Sequence, residues 1–324
     1  MVKPAAEGVR FSVIVPTPSL SPSPAVLADL AAVAEEREDL EIFVAVGNNP
    51  SRQRNLAAAQ ARGEMVVFLD SDCRVEAGHF ERLETHLGAG REVVGGPSLL
   101  EQPATEREVM LQSLFAHPLL TGPSSARYGR SGAMRTCDDA ELILCNMAVL
   151  RRTFVESGGF DERLYPNEEN EWMERLRNAG ILFWHDPDLA VRRPQRKTWG
   201  AFFRTMLAYG RGRTRQSLIS RRIDLGRQAP MVGVLAFVAF LLIKPYLALG
   251  VGILSWLVGV MVLRFLPVQG NRLPIAAAAV APILPLLYAL GQIRGFLPSG
   301  PQFFRSVSLY RWEGGGLNLL WEES

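Results

Sequence analysis

The N-terminal part of the chain alternates between short apolar runs and segments rich in helix-forming residues. Phe11–Thr17 and Leu40–Val46 are apolar runs rich in β-branched residues. Residues 24–37 are rich in Ala, Leu and Glu, and residues 55–62 have strong helix propensity up to Gly63. Short runs of this kind predict buried strands. The segments between and after them predict helices, the second of which would end at Gly63 as its C-terminal cap.

A third apolar run, Met65–Leu69, follows the second predicted helix. The order strand, helix, strand, helix, strand favours a mostly parallel, Rossmann-like sheet covered by helices, so the predicted fold class is α/β. Open sheets of this class bind ligands beyond the carboxyl ends of their strands. The residues that follow Met65–Leu69 are therefore candidates for chemistry.

The strongest change in composition lies in the C-terminal part. Residues 230–267 are almost wholly apolar and are interrupted in the middle at Lys244 and Pro245, and residues 273–291 form another apolar stretch with Pro282 and Pro285 in its interior. A bilayer core takes about 20 helical residues, so the first run is too long for one perpendicular helix. A hairpin that turns at Lys244 fits better. The pattern predicts two or three membrane helices, with re-entrant or tilted segments as the alternative.

These changes in composition divide the chain into three predicted parts. The first is a catalytic domain with a basic juxtamembrane end over residues 1–227, the second consists of membrane helices over 228–293, and the third is an interfacial tail over 294–324. Aromatic residues such as Phe303 and Phe304 favour an interfacial segment in the tail.

The average composition of the 324 residues hides this division, because 48% hydrophobic residues, a net charge of +2 and a mean hydropathy of +0.08 resemble a soluble protein. Three cysteines without metal-ligand spacing, Cys73, Cys137 and Cys145, are consistent with a reducing compartment. No long apolar core precedes Phe11, so no signal peptide is expected. We therefore predict a multi-pass protein of the inner (plasma) membrane whose catalytic domain is cytoplasmic. No nucleic-acid partner is expected, and the oligomeric state stays open.

Two carboxylates, Asp70 and Asp72, follow the predicted strand Met65–Leu69. If the extended conformation continues, side-chain alternation points both to the same side. Paired carboxylates suit a hard divalent cation, Mg²⁺ or Mn²⁺, which would bridge to substrate phosphates. The alternative is ordinary turn chemistry, with Asp70 or Asp72 in an Asx turn or at a helix N-cap.

A second acidic cluster, Glu168, Glu169 and Glu171, lies in the middle of the chain after Pro166 and Asn167. On the residues alone, the cluster is typical of a solvated helix start, because acids favour the first helical turn.

The chain resembles the family 2 glycosyltransferases, which have the GT-A fold. The resemblance spans roughly residues 11–216 and is carried by several motifs in order: Ser12-Val13-Ile14-Val15-Pro16-Thr17, Gln53-Arg54-Asn55, Ala61-Arg62-Gly63-Glu64, Phe68-Leu69-Asp70-Ser71-Asp72, Gly158-Gly159-Phe160-Asp161-Glu162, Asn167-Glu168-Glu169-Asn170-Glu171-Trp172 and Arg175-Leu176. Several motifs in the right order are far more specific than one Asp-x-Asp.

The resemblance implies roles for the two acidic clusters. Asp70 and Asp72 would hold the metal on the donor's diphosphate, with Asp72 the surer ligand. Glu169 would be the general base that deprotonates the acceptor hydroxyl, although the family usually has aspartate there. Glu168 or Glu171 would be a helper, or the base itself if the motif is misaligned. A single displacement with one base inverts the anomeric centre.

Candidate donor contacts are Thr17, Asn48 and Arg54, for which a strand-end hydroxyl, a turn residue and a surface cation are the alternative readings. The second strand of the family normally ends in acidic residues, and here it ends in Gly47-Asn48-Asn49, so the nucleotide is not identified. Arg211 and Arg213 lie in a Tyr-Gly-x-Gly-Arg element that resembles the membrane-associated, exopolysaccharide-type branch. Their charge would suit a lipid-linked phosphate or simply flank a membrane segment.

The resemblance thus implies a metal-dependent inverting glycosyltransferase that takes a nucleotide sugar as donor and a lipid-linked (polyprenyl) glycan as acceptor in cell-surface polysaccharide synthesis. A nucleotidyltransferase would need a glycine- and lysine-rich loop near the N-terminus, and residues 16–24 are not one. A catalytically silent membrane scaffold of the same fold is the alternative of another class.

Overall fold

The computed structural model describes residues 8–21, 23–265, 273–297 and 306–323. The chain divides into two compact units. Unit 1 consists of Met1–Gln102, Ala126–Pro194 and Gln302–Ser324, and unit 2 of Pro103–Ser125 and Gln195–Pro301. These units differ from the three consecutive parts predicted from composition, because unit 2 takes residues on both sides of the second segment of unit 1.

Unit 1 contains the strands. In chain order they are β1 Phe11–Thr17, β2 Leu40–Val46, β3 Met65–Leu69, β4 Arg74–Val75, β5 Val93–Gly95, β6 Ser98–Leu100, β7 Arg135–Cys137, β8 Asn146–Leu150, β9 Phe183–His185, β10 Val191–Arg193, β11 Ser308–Glu313 and β12 Gly316–Glu322.

Nine strands form one sheet in the order β12-β11-β2-β1-β3-β8-β5-β9-β7, and a small sheet has the order β4-β10-β6. β1 pairs in parallel with β2 and β3, as the strand–helix alternation predicted. β8 is antiparallel to both β3 and β5, and β11 is antiparallel to β2. The predicted α/β fold class is therefore confirmed, and the sheet is mixed, with antiparallel strands beside the parallel strands β1, β2 and β3.

The helices of unit 1 are α1 Val26–Glu36, α2 Pro50–Gln60, α3 His79–Gly88, α6 Arg151–Glu156 and α7 Glu168–Asn178; those of unit 2 are α4 Glu106–Phe115, α5 Pro118–Thr121, α8 Trp199–Ser220, α9 Leu225–Ile243, α10 Pro245–Phe265, α11 Ile275–Val280 and α12 Ile283–Gly295. Short 3₁₀ turns cover Gly122–Tyr128 and Asp139–Glu141.

Helix α2 begins earlier than its propensity predicted. Asn49 caps it by accepting a hydrogen bond from the backbone N–H of Arg52 at 3.2 Å, and Pro50 occupies the first turn. The helix ends at Gln60 rather than at Gly63, so the assignment of Gly63 as its cap was wrong. A Cβ at position 63 would lie 2.7 Å from the backbone N of Ser12, so the glycine is required for close packing on β1.

The sheet of unit 1 is buried on both faces. One face carries a cluster of aromatic rings, Phe68, Phe154, Phe160 and Trp172, whose centroids lie 5.0–5.4 Å apart in tilted or edge-to-face pairs. The opposite face packs α1 and α3 on side chains such as Val15 and Val67. Strands buried on both faces read as continuous apolar runs, which is why β1 and β3 were recognisable in the sequence.

The end of the chain belongs to the sheet. β11 pairs with β2 from Ser308 opposite Val46 to Arg311 opposite Phe43, and β12 pairs with β11 as an antiparallel hairpin. This part of the predicted interfacial tail is therefore β-structure in unit 1. Phe303 and Phe304 lie outside the described residues.

The described residues of unit 2 contain three helical segments long and apolar enough to cross a membrane: Leu225–Ile243, Pro245–Phe265 and Ile275–Gly295. Lys244 separates the first two, as predicted for a hairpin. The third is interrupted after Val280, where Ala281 and Pro282 form a turn between α11 and α12.

Candidate functional site

Asp70 and Asp72 lie at the carboxyl end of β3, which is buried along its whole length. The chain turns at once, because the backbone N–H of Cys73 donates to the carbonyl oxygen of Asp70 at 3.1 Å. The extended conformation ends at Leu69, so strand alternation does not orient the two carboxylates. The turn that was the alternative reading of this motif is present, and it coexists with a cluster of opposite charges.

Arg54 is the first cation of this cluster. Its Nη2 lies 2.9 Å from Oδ1 of Asp70 and its Nη1 lies 3.1 Å from Oε1 of Glu168, and only 5% of its side chain is exposed. The alternative reading of Arg54 as a surface cation was therefore wrong. The guanidinium joins the Asp-x-Asp turn to the second acidic cluster.

Arg193 is the second cation, and it reaches both aspartates. Its Nη1 lies 3.2 Å from Oδ2 of Asp70 and its Nη2 lies 3.2 Å from Oδ2 of Asp72. The residue ends β10, which is antiparallel to β4 with Arg192 opposite Arg74. Because β4 begins two residues after Asp72, this register carries Arg193 to the Asp-x-Asp turn.

Glu168 opens α7 and is buried, with 4% of its side chain exposed. Burial first, and the charge of Glu169 second, raise the pKa of Glu168 to about 8, although Arg54 acts in the opposite direction. Within the described part of the chain, Oε2 of Glu168 has no hydrogen-bond partner. A carboxyl that keeps its proton near neutral pH positions Arg54 rather than accepts a proton from a substrate.

Glu169, unlike Glu168, is only half-buried. Its Oε1 accepts a hydrogen bond from Nδ2 of Asn170 at 3.2 Å. Glu171 is occupied elsewhere, because its carboxylate accepts from Arg175 one turn along α7, with Nε of Arg175 at 2.8 Å from Oε1. The solvent-accessible acid of the cluster is therefore Glu169, which is the residue that the sequence indicated as the base.

Helix α2 holds these parts in place through its polar side chains. Asn55 donates to the carbonyl oxygen of Phe160 at 2.8 Å and accepts from the backbone N–H of the same residue at 2.9 Å. Gly159 has φ +66°, and a Cβ there would lie 2.6 Å from Oδ1 of Asn55. This pair fixes α2, and with it Arg54, against the loop that leads towards α7.

The remaining predicted site residues lie in two places. Thr17 ends β1 and is buried, and its Oγ1 donates to the carbonyl oxygen of Ser19 at 2.7 Å. Asn48 follows β2 and is exposed. Arg211 and Arg213 lie on α8 of unit 2, where Nη1 of Arg213 donates to Oε1 of Gln216 at 2.8 Å. The donor-contact roles of these residues stay predictions.

Sequence reasoning missed Arg193 as a site residue. It lies in a run of three arginines and a lysine between positions 192 and 197, and composition does not single it out. The only signal that identifies it is the pairing of β10 with β4, which joins segments more than a hundred residues apart.

The donor set suits a hard divalent cation. In the described part of the chain, no group of three or more His, Cys, Asp or Glu side chains could hold a metal ion by itself. Mg²⁺ is commonly bound by one or two carboxylates together with substrate phosphates and water, and Asp70 and Asp72 match that pattern. Asp72 is the more accessible of the two, with 40% of its side chain exposed against 27% for Asp70.

Comparisons with known proteins show similarity in sequence and in fold. Residues 18–159 match the family model described as Glycosyl transferase family 2. The fold is similar to that of the mannosyltransferase PcManGT from Pyrobaculum calidifontis, solved in complex with GDP-Man and Mn²⁺: the TM-score is 0.51 and the identity 16%, over 88% of this chain and 86% of that chain. It is also similar to residues 1–349 of TarS from S. aureus, with a TM-score of 0.41 and 14% identity over 96% of each chain.

No curated protein sequence matches the chain. The family match confirms the resemblance for residues 18–159, and the likeness to PcManGT shows a GT-A-like fold. The exopolysaccharide-type branch stays a prediction.

Proposed function

We propose that this chain is a metal-dependent inverting glycosyltransferase that transfers a sugar from a nucleotide-sugar donor to a lipid-linked acceptor. The observation that carries the proposal is the charge cluster at the end of β3. It places the Asp-x-Asp carboxylates, two arginines and the Glu168-Glu169 pair together at the carboxyl ends of strands. Ligands of open α/β sheets bind at this edge.

The balance of charge supports the need for a metal. Arg54 and Arg193 already neutralise Asp70 and Asp72, and the raised pKa of Glu168 leaves that carboxyl largely protonated near pH 7. The cluster thus holds no spare positive charge for an anionic diphosphate. A bound Mg²⁺ or Mn²⁺ would supply that charge and stabilise the departing nucleoside diphosphate as a Lewis acid.

In the proposed reaction, Glu169 removes the proton from the acceptor hydroxyl. The oxygen then forms a bond to the anomeric carbon while the bond from that carbon to the donor diphosphate breaks, and the diphosphate leaves with the electron pair. Arg54 holds the Asp-x-Asp turn and Glu168 in one arrangement. Arg193, which contacts both aspartates, would bind phosphate oxygens next to them, because guanidinium groups bind phosphate in bidentate fashion.

The lipid-linked acceptor is supported by composition. The described part of unit 2 contains three helical segments that could cross a bilayer, and the basic run over residues 209–227 precedes the first of them. Basic residues next to membrane helices attract anionic headgroups and lipid phosphates. An acceptor carried in the membrane would be available to an enzyme anchored in this way.

The test uses the full chain in lipid nanodiscs with Mn²⁺ or Mg²⁺ and a panel of nucleotide sugars. Release of nucleoside diphosphate is measured with and without cell-envelope lipids. GDP-mannose is the first donor to test, because PcManGT was solved with it. We expect metal-dependent turnover of at least one donor, and mass analysis of the lipid then identifies the product.

Two variants assign the roles. Asp72→Asn and Glu169→Gln are expected to lower turnover by at least about 100-fold, the range of effects for general acid–base groups, while Glu174→Gln on the same helix serves as the matched control. An active Glu169→Gln protein overturns the assignment of the base. A protein that binds a glycan but turns over no donor is a silent scaffold, and the proposed activity is then wrong.

A further inference from the structure

Strands from the first and the last described segments of the chain belong to one sheet. β2, near the N-terminus, pairs with β11, near the C-terminus, from Ser308 opposite Val46 to Arg311 opposite Phe43. A salt bridge supports the pairing, since Nη2 of Arg311 lies 2.9 Å from Oε2 of the buried Glu41. Hydrogen-bonded strands lie on one side of a membrane. The segment between them must therefore cross a bilayer an even number of times.

The described residues of that segment contain three candidate crossings, which is an odd number. At least one of them does not cross. α9 and α10, with 19 and 21 residues, each match the length of about 20 residues that a bilayer core needs. α11 and α12 have 6 and 13 residues, about 9 and 20 Å of helix, and a turn separates them.

The third segment lies against a helix that is too polar to cross. α8 contains four arginines, at positions 204, 211, 213 and 215. α12 packs on it with backbones in close approach: a Cβ at Gly210 would lie 2.0 Å from the carbonyl oxygen of Tyr288, and a Cβ at Gly291 would lie 2.2 Å from that of Leu207. α12 therefore shares the environment of α8.

Buried polar groups tie the end of the third segment to the entrance of the first helix of the hairpin. Gln292 is fully buried, and its Nε2 donates to the carbonyl oxygen of Arg227 at 3.0 Å and to Oε1 of Gln228 at 2.8 Å. Thr214 of α8 donates to the carbonyl oxygen of Gln292 at 2.8 Å. Arg227 and Gln228 lie in the first turn of α9, so this end lies where α9 begins.

The start of the third segment packs against another polar helix, α4. α11 packs against α4, and a cavity of about 820 Å³ between them is lined by Thr105, Glu106, Arg107 and Pro274, among others. Arg107 in turn donates to the carbonyl oxygen of Lys197 at 2.7 Å, just before α8. Both ends of the third segment thus contact the polar pair of helices α4 and α8.

From these contacts we infer that the chain crosses the bilayer twice, through α9 and α10, and that α11 and α12 lie along the leaflet at which α9 begins. The partner of this surface is the lipid of that leaflet. The exposed apolar side chains of α11 and α12, Ile275, Ile283, Leu286 and Leu290, face it. This inference rests on the proposed membrane insertion and not on transferase activity.

The charges indicate which side this is. Arginines at positions 213, 215, 221, 222 and 227 precede or open α9, and Arg264 ends α10, whereas Lys244 is the single basic residue at the turn of the hairpin. Lys and Arg near membrane helices are enriched on the cytoplasmic side. With two crossings, the sheet that contains β2 and β11 is cytoplasmic, as is the α11–α12 segment, and Lys244 is outside.

The experiment is cysteine accessibility in inside-out and right-side-out vesicles with a membrane-impermeant maleimide. Cys137 is replaced by Ser, and Cys73 and Cys145 are kept because they are buried. Single reporter cysteines then replace residues that are exposed in the structure, namely Glu38 and Glu313 in unit 1, Lys244 at the hairpin turn and Leu297 after α12.

We expect Glu38→Cys, Glu313→Cys and Leu297→Cys to react at least about tenfold faster in inside-out vesicles, and Lys244→Cys to react only in right-side-out vesicles. Leu297→Cys reacting from the same face as Lys244→Cys would mean that the third segment crosses, which overturns the inference. Lys244→Cys reacting from the same face as Glu38→Cys would mean that the hairpin does not cross, which overturns it equally. Neither readout depends on activity, so an inactive protein with the expected pattern refutes only the proposed function.

Discussion

The contact between Arg54 and Glu168 allows a sharp test of the charge cluster. Both side chains are almost fully buried, with exposed fractions of 5% and 4%, and their atoms lie 3.1 Å apart. Replacing Arg54 by Met keeps much of the side-chain volume and removes the cation. Asp70, with 27% of its side chain exposed, still contacts Arg193 and water. Glu168 would be left as a buried acid without its cation.

Removing one partner of a buried ion pair costs about 3–5 kcal/mol, because the remaining charge is desolvated and unpaired. Arg54 lowers the pKa of Glu168, so its loss raises that pKa above about 8. The acid is then protonated up to a higher pH. We therefore expect Arg54→Met to lower the free energy of unfolding by about 3–5 kcal/mol at pH 9 and by less at pH 6.

The assay is urea unfolding of the full chain in detergent micelles, followed by tryptophan fluorescence at pH 6 and pH 9. Arg54→Met combined with Glu168→Gln should recover most of the loss, leaving about 1–2 kcal/mol for the hydrogen bonds to Asp70. The control is Arg163→Met, which breaks an ion pair with Asp161 whose arginine is 73% exposed, and which should cost less than about 1 kcal/mol. Additive losses in the double variant, or equal losses at both pH values, would refute the reasoning.

Three further predictions concern unit 1. Gly159 has φ +66°, and a Cβ there would lie 2.6 Å from Oδ1 of Asn55, whereas Gly158 has φ +81° and open space around its Cβ position. In urea unfolding, Gly159→Ala should therefore lose about 1 kcal/mol more stability than Gly158→Ala. Equal losses would contradict the close contact. The pKa of Glu168 is about 8 in the folded state against an ordinary 4.5, so between these values the folded state keeps a proton that the unfolded state releases. Stability should therefore fall as the pH rises from about 5 to 8. Glu168→Gln should flatten that slope in thermal unfolding. Arg193→Ala removes the cation that contacts both aspartates. In the absence of a nucleotide sugar, the variant should therefore bind Mn²⁺ several-fold more tightly, as measured by paramagnetic resonance. Weaker Mn²⁺ binding would argue against competition between the arginine and the metal.

The elements that were predictable from the sequence are those fixed by local pattern. β1, β2 and β3 are apolar runs buried on both faces, and their bounds match the runs in the sequence. The turn at Lys244 follows from a charge and a proline between two apolar arms. Asp70 and Asp72 were identified because they directly follow a recognisable strand.

Elements fixed by distant pairing were not predictable. β8 runs antiparallel between β3 and β5, and no local feature of Asn146–Leu150 indicates its direction. Arg193 reaches the aspartates only through the pairing of β10 with β4. The Tyr-Gly-x-Gly-Arg element was noted for its resemblance to a membrane-associated branch, whereas Gly210 is explained by its contact with α12, which is close in space and distant in sequence.

The C-terminal hairpin should be part of the stable core of unit 1, and its removal tests this directly. Val307 and Leu309 are fully buried, and burying side chains of this size contributes about 1.5–3 kcal/mol each. Without the hairpin, β2 becomes an exposed edge, and the buried Glu41 loses Arg311 while it keeps Ser12 and Arg62.

We expect a chain that ends after residue 305 to lose at least about 3 kcal/mol in urea unfolding and to be cleaved faster by protease within unit 1. A chain that lacks only Ser324 is the control for a shortened terminus, because Glu323 pairs with Arg52 and Val307. Since β11 and β12 follow the membrane hairpin in the chain, unit 1 completes its sheet only after that hairpin has been synthesised. An unchanged unfolding midpoint after removal of the hairpin would mean that the sheet is complete without β11 and β12, and would weaken the argument that both chain ends lie on one side of the membrane.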